Sequence, residues 1–383
     1  MFVFSENVCR FAQILNKAFF RESMGVKALK IKLLAVVMLC SFSGFGSEDS
    51  TDKKQEEFNP KEMIMHHVKD AYGFHLWDWN GHSIALPLPI LLWVDGEMIT
   101  FMSSEFHHDS NGEVIVERNG HRFVNFHEKV YQLDSEATAL AFNEDNYPIN
   151  ASKPLDISIT KNVFMMWVSV LVLLFLFITT ARKYKQSPDN VPTGIAGFME
   201  PLILFVRDEI GVPMIGEHKY KRYMPYLLTI FFFIWINNIF GLIPIVNGAN
   251  LSGNIAFTFT LATFTFIITT FSGNKNYWKH IFWMPGVPVP MKIFLAPIEV
   301  IGMLVKPISL MIRLFANITA GHIIILALMS LIFVFKTIAV APVSVLFALF
   351  IAVIEIIVTA IQAYIFTVLS ALYFGMATEE EHH

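Results

Sequence analysis

Hydrophobic and polar positions divide this chain into two parts with different periods. From His75 to Tyr131, short β-type runs are separated by turn dipeptides: 84–94 and 98–106 flank Asp95-Gly96, and 113–117 and 121–126 flank Asn119-Gly120. Asp-Gly and Asn-Gly tolerate the positive φ of a tight hairpin, so this stretch predicts a small antiparallel β domain. After residue 160 the apolar runs lengthen. Residues 163–181 carry no charge over 19 positions, about 28 Å of helix and enough to cross a bilayer core. Arg182, Lys183 and Lys185 follow at once. Basic residues mark the cytoplasmic end of a span, so this one runs from outside to inside. Further spans are expected at 223–243 and 255–271, with Lys219, Lys221 and Arg222 before the first and Lys275, Lys279 and Lys292 after the second, all on the inner side. Between the first two spans, Phe198, Leu202, Phe205 and Val206 recur at helical spacing among Glu200, Arg207, Asp208 and Glu209. That pattern predicts an amphipathic helix at the inner interface over 193–215.

The last two apolar segments are too long for simple spans. Residues 293–335 and 339–375 number 43 and 37, roughly 65 Å and 55 Å if helical, against a core of about 30 Å. Either each breaks, with Pro297 and Pro307 as bend points in the first, or each is strongly tilted. The expected architecture is an all-α polytopic membrane protein. It has five transmembrane helices and an interfacial amphipathic helix, with the last two spans long and steep, preceded by a small exported β-rich domain.

Composition agrees. Of 383 residues, 54% are hydrophobic and 16% charged, against about 25% charged in an ordinary soluble domain. Residues 47–160 hold 20 of the 32 acids and only 8 of the 28 bases, whereas 161–383 hold 10 acids and 14 bases. A soluble acidic domain at 47–160 thus precedes a membrane domain at 161–383. The net charge of −4 argues against a nucleic-acid partner. Lys27, Lys30 and Lys32 precede an apolar run at 33–39, and Gly44 and Gly46 sit at −3 and −1 of a cut before Ser47. Residues 1–46 therefore look like a secretory signal, with Met24 as an alternative start.

Both cysteines, Cys9 and Cys40, fall in that leader, so the mature chain would have no disulfide and no thiolate chemistry. Eight of the 13 histidines (66, 67, 75, 82, 107, 108, 121 and 127) lie in the acidic domain, but no pair has a convincing ligand spacing on a helix. They are expected to be surface polar groups, with no metal and no cofactor. There is no G-x-x-x-x-G-K-[ST] loop, so ATP is not expected to bind this chain.

Chemistry is concentrated in the final hairpin. Arg313 is the one formal charge between Ile308 and Phe335, and His322 the one histidine. An arginine at mid-membrane costs about 2.5–3.5 kcal/mol on insertion scales, so its retention points to function over snorkelling. Ser309, Arg313, Asn317 and Ala320 form one narrow helical strip, and Ala348, Ala352, Glu355, Thr359 and Gln362 form another. Antiparallel packing would put Glu355 near His322, and Gln362 near Arg313. Arg is a fixed cation, while His and Glu titrate, a combination suited to ion translocation.

At these residues the sequence resembles subunit a of the F-type ATP synthase membrane sector. The core of the likeness is 306–317 (K-P-I-S-L-M-I-R-L-F-A-N) followed by Ala320-Gly321-His322. Support comes from Asn237-Asn238 with Leu242 and Pro244, from Glu299 after Pro297, and from Gln362-Ala363-Tyr364-Ile365-Phe366. It spans about 160–376, and the exported domain lies outside the usual pattern.

The resemblance implies that Arg313 faces the carboxylates of a rotating c-ring, discharges each one and keeps two half-channels apart. Asn317, His322, Glu355 and Gln362 would line the outer half-channel, and Glu299 the inner one. In many bacterial relatives an acid stands at the His322 position and a His at the Glu355 position; here the two types are exchanged, which preserves the pair. The partners implied are the c-ring, the subunit b peripheral stalk, the other synthase subunits and the lipid of a bacterial inner membrane, with the N-terminal domain outside and the C-terminus cytoplasmic. A proton-coupled secondary transporter would also bury ionisable groups, but no internal repeat is evident.

Overall fold

A computed structural model describes residues 69–79, 82–107, 109–134, 137–143, 147–186, 193–243 and 251–379. The expected signal at 1–46 and the start of the acidic domain lie outside the described residues.

Among the described residues the N-terminal part is a β unit of nine strands: β1 Gly73–Trp79, β2 His82–Pro87, β3 Pro89–Val94, β4 Glu97–Met102, β5 Asn111–Arg118, β6 His121–Phe126, β7 Val130–Leu133, β8 Ala151–Ser152 and β9 Leu155–Asp156. They form antiparallel sheets in the orders β1-β2, β4-β3-β9 and β5-β6-β7-β8. Both foreseen hairpins are present, with φ of 49° and 90° at Asp95-Gly96 and 50° and 80° at Asn119-Gly120. The run expected at 84–94 is instead two strands parted at Leu88. Pro87 and Pro89 cannot donate to a ladder, and the Leu88 N–H turns away to the Ser103 hydroxyl (3.0 Å). Ile90, Leu92, Phe101, Phe106 and Phe123 fill the core, with Phe101 stacked on Phe123 at 5.6 Å.

The membrane part has α1 Lys161–Gln186, α2 Ile195–Phe205, a π-helical turn Val206–Gly211, α3 Val212–Ile215, α4 Tyr220–Leu242, α5 Ile255–Ser272, α6 Lys275–Phe282, α7 Val289–Phe335 and α8 Ala341–Thr378. Five of these (α1, α4, α5, α7 and α8) are long and apolar enough to cross a membrane. α7 runs unbroken for 47 residues and α8 for 38, about 70 Å and 57 Å. Pro297 and Pro307 each remove one ladder bond without ending α7, whereas Pro290 sits in its first turn, where no donor is needed. Lys336, at φ 48°, stops it.

The amphipathic segment expected at 193–215 is helical, and its apolar face is taken up by protein. Leu202, Phe205, Val206 and Ile210 are buried in the main core with α4 and the second half of α8, and the Phe205 ring lies 5.7 Å from that of Tyr364. The stretch around Lys275 and Lys279, expected as loop, contains α6. Its eight residues are too few, and too charged, to register as a span.

The β unit sits at the start of α1. The Lys161 N–H donates to the Ala71 carbonyl (2.9 Å), and that of Ile159 to Pro89 (3.2 Å). Asp70 caps the helix by accepting from the Asn162 N–H (3.1 Å), and burial lifts its carboxyl above its ordinary value. Phe74 inserts between Phe164, Met165, Leu251 and Phe257. The unit therefore lies at the end of the bundle where α1 begins and α4 meets α5. The other end, where α1 and α5 finish, is held by the Asn274 N–H donating to the Ala377 carbonyl (2.9 Å).

Candidate functional site

α7 and α8 run antiparallel, and two contacts set their register. Near one end Lys306 Nζ lies 5.6 Å from the Tyr373 ring centre. Fifteen residues further along α7, Gly321 faces Glu355 so closely that a Cβ at 321 would lie 2.8 Å from the carboxyl carbon. This register puts His322 level with Glu355, and Arg313 level with Gln362.

The two polar strips face different ways. On α7, Leu310, Leu314 and Ile318 are buried at spacing four and hold the helix to the core. Ser309, Arg313, Asn317 and Ala320 lie on an exposed face about a quarter turn round the helix. Arg313 has no hydrogen-bond or ion-pair partner among the described residues. On α8, by contrast, Ala348, Glu355, Thr359 and Gln362 are buried, with Glu355 3% and Gln362 5% exposed. Thus Arg313 and Gln362 share a level while Gln362 turns inward and Arg313 outward, and no hydrogen bond joins them. Asn317, expected beside His322 and Glu355, belongs to the Arg313 face. Glu299 is half-buried near the start of α7, some 21 Å along the helix from Arg313.

The α7–α8 hairpin also carries polar atoms left unanswered. Both Glu355 carboxylate oxygens, His322 Nε2 and the Thr319 hydroxyl are buried without a hydrogen-bond partner. A buried polar group left unpaired costs about 1–3 kcal/mol, so each of these calls for water or a transferable proton. Thr359 contributes little, since its hydroxyl is spent on the Ile356 carbonyl (2.7 Å). Thr319 and Gly321 were not picked out by the sequence as functional positions. Thr319 lies one turn before His322, which is the only cue the sequence offers for it.

Asn237 and Asn238 of the sequence motif are also buried, each with one amide atom unanswered. Asn237 donates to the Phe233 carbonyl (2.7 Å), and Asn238 accepts from the Ser252 hydroxyl. In the β unit His121 faces Gln132 (3.0 Å). No group of three His, Cys, Asp or Glu side chains converges as a metal site among the described residues.

Comparison with known proteins locates these features in a family. Residues 163–375 match the model described as ATP synthase A chain. Residues 63–157 match a domain of unknown function. Over 234 residues the chain is 48% identical to ATP synthase subunit a of Chloroherpeton thalassium, covering 60% of this chain and 69% of that one. It is 42% identical over 235 residues to ATP synthase subunit a of Myxococcus xanthus, covering 60% and 76%. Over 322 residues it is 40% identical to ATP synthase subunit a 2 of Prosthecochloris aestuarii, covering 78% and 93%. That last likeness covers more of this chain than residues 163–383 can supply, so it extends into the region before the first span.

Proposed function

Because the chain belongs to the ATP synthase A chain family, it carries the proton-translocating role of that family's membrane sector, and we propose that it does so as the stator against which a ring of c subunits turns. One observation carries this mechanism: Arg313 stands on the outward face of an apolar helix with no hydrogen-bond or ion-pair partner among the described residues. A guanidinium cannot shed its proton to become neutral, so in hydrocarbon it calls for an anion from elsewhere. A ring carboxylate passing at 4 Å would gain about 4 kcal/mol at an effective dielectric of 20. That is enough to strip it of its proton, and small enough for water nearby to release it again. Ser309, Asn317 and Ala320 share this face, and their small or uncharged side chains let another helix come close.

Thr319, His322 and Glu355, at the β-unit half of the hairpin, would line the end of the outer half-channel, with Gln362 inward of them and Asn317 at the ring face. Glu299 would serve the inner half-channel. Protons would enter by one route, ride the ring and leave by the other, with Arg313 between the routes as the barrier to a leak. The excess length of α7 and α8 over a bilayer core fits helices slanted along a curved ring. The chain would be non-catalytic towards ATP and would work with the c-ring, a subunit b stalk and the remaining synthase subunits. It would lie in a bacterial inner membrane, with residues 47–160 outside after removal of 1–46 and with the C-terminus cytoplasmic.

The test is Arg313→Ala in the assembled synthase, assayed in inverted membrane vesicles. ATP-driven proton pumping and proton-driven ATP synthesis should both fall to background. Near-normal coupled pumping would overturn the mechanism.

A further inference from the structure

We propose that the elbow between α6 and α7 is a binding site for an anionic phospholipid, its headgroup held by Lys275, Lys279 and Lys292. α6 divides cleanly by side. Ile281 is buried against protein, while Lys275, Lys279 and His280 are exposed on the other face. The helix cannot roll to hide them. Tyr277 and Trp278 close over Gly273, where a Cβ would come within 2.7 Å and 3.0 Å of their rings. Asn274 also anchors the helix start, its side chain donating to the Thr378 carbonyl (2.9 Å). Lys292, at the start of α7, reaches back over the Trp283 ring (4.8 Å), so the third cation returns to the end of α6.

Two properties choose the ligand. The first is charge: residues 218–298 contain no Asp or Glu, and among the described residues none of the three lysines is held in an ion pair. The second is the apolar flank. Phe282, Val289, Ile293 and Phe294 are 55%, 55%, 66% and 76% exposed beside the lysines. A soluble phosphate would use the cations and leave this flank bare, whereas a phospholipid uses both, with phosphate at the lysines and acyl chains along the start of α7. An exposed face that joins Lys to Trp and Phe is what the headgroup boundary accommodates. The elbow also lies at the end of the bundle opposite the β unit, with the basic end of α1.

The full chain, within the synthase, would be placed in nanodiscs of phosphatidylcholine carrying a minority of phosphatidylglycerol, and the lipid retained on release identified by native mass spectrometry. The intact protein should retain phosphatidylglycerol. The triple substitution Lys275→Gln, Lys279→Gln, Lys292→Gln should retain about tenfold less or lower still. A control triple, Arg182→Gln, Lys185→Gln, Lys221→Gln, removes the same charge elsewhere on this side and should retain it in full. Equal loss in both triples, retention of phosphatidylcholine instead, or displacement by millimolar inorganic phosphate would each overturn the proposal. Thermal unfolding of both triples shows whether the fold is intact; lipid retained by an intact elbow triple would also overturn it.

Discussion

Gly321 stands against the carboxylate of Glu355 across the α7–α8 hairpin, so the absence of a side chain at 321 makes the space the acid occupies. Adding even a methyl group there must move Glu355 or part the helices. Overpacking of this kind typically costs about 1–3 kcal/mol. Gly321→Ala should therefore cut ATP-driven proton pumping several-fold while the synthase still assembles. Shortening the acid should restore room, so Gly321→Ala with Glu355→Asp should pump better than Gly321→Ala alone. If the double variant is no better than the single one, steric pressure on Glu355 is not the cause.

The outward and inward strips of α7 make opposite predictions for cross-linking. Cysteines at 309, 317 and 320 should form cross-links to c subunits in the assembled synthase. Cysteines at 310, 314 and 318, buried in the chain's own core, should not. Both cysteines of the sequence, Cys9 and Cys40, lie in the expected leader, so the background is low. Links formed equally well from both sets, or only from the second, would contradict an outward-facing Arg313.

Much of this arrangement is legible in the sequence, and the parts that are not share a cause. Five spans follow from the lengths of charge-free runs, and the two hairpin turns from Asp95-Gly96 and Asn119-Gly120, because both signals are local. Arg313 stands out because a charge in an apolar run is costly wherever that run ends up. What a strip of polar residues faces is not local. The strip at Arg313 and the strip at Glu355 look alike in sequence, yet one opens outward and the other closes inward, since α8 turns Glu355 onto Gly321 of α7. The role of Gly321 likewise depends on its pairing with a residue more than thirty positions away. α6 escaped notice because two turns of helix bearing two lysines resemble a polar loop unless its buried side is known.

Two glycines separate packing from propensity. A Cβ at Gly375 of α8 would collide with the carbonyl oxygen of Met214, and backbone cannot swing aside; at Gly302 of α7 it would meet nothing within 4 Å. Gly375→Ala should therefore lower the thermal stability of the purified chain and reduce its assembly. Gly302→Ala should raise stability slightly, by up to about 1 kcal/mol, as expected for alanine in an open helix interior. Two changes of equal sign would rule out close packing as the reason for Gly375.

In the β unit, the Tyr72 hydroxyl donates to the Asp156 carboxylate, tying the residues before β1 to β9 and hence to the strand that leads into α1. Hydrogen bonds to charged groups contribute about 1.5–3 kcal/mol, so Tyr72→Phe should destabilise the unit by roughly that amount. Burial and the neighbouring Asp156 raise the Tyr72 hydroxyl above its ordinary value. A group raised in the folded state contributes stability that is full below its unfolded value, near 10, and is lost as pH climbs towards the folded one. The stability gap between the intact protein and Tyr72→Phe should therefore stay flat from about pH 6 to about pH 9 and close only in stronger alkali. Chemical denaturation of both proteins across that range measures the gap. A gap that already narrows between about pH 7 and about pH 9 would mean that the hydroxyl is not held in its protonated, donating form by the fold.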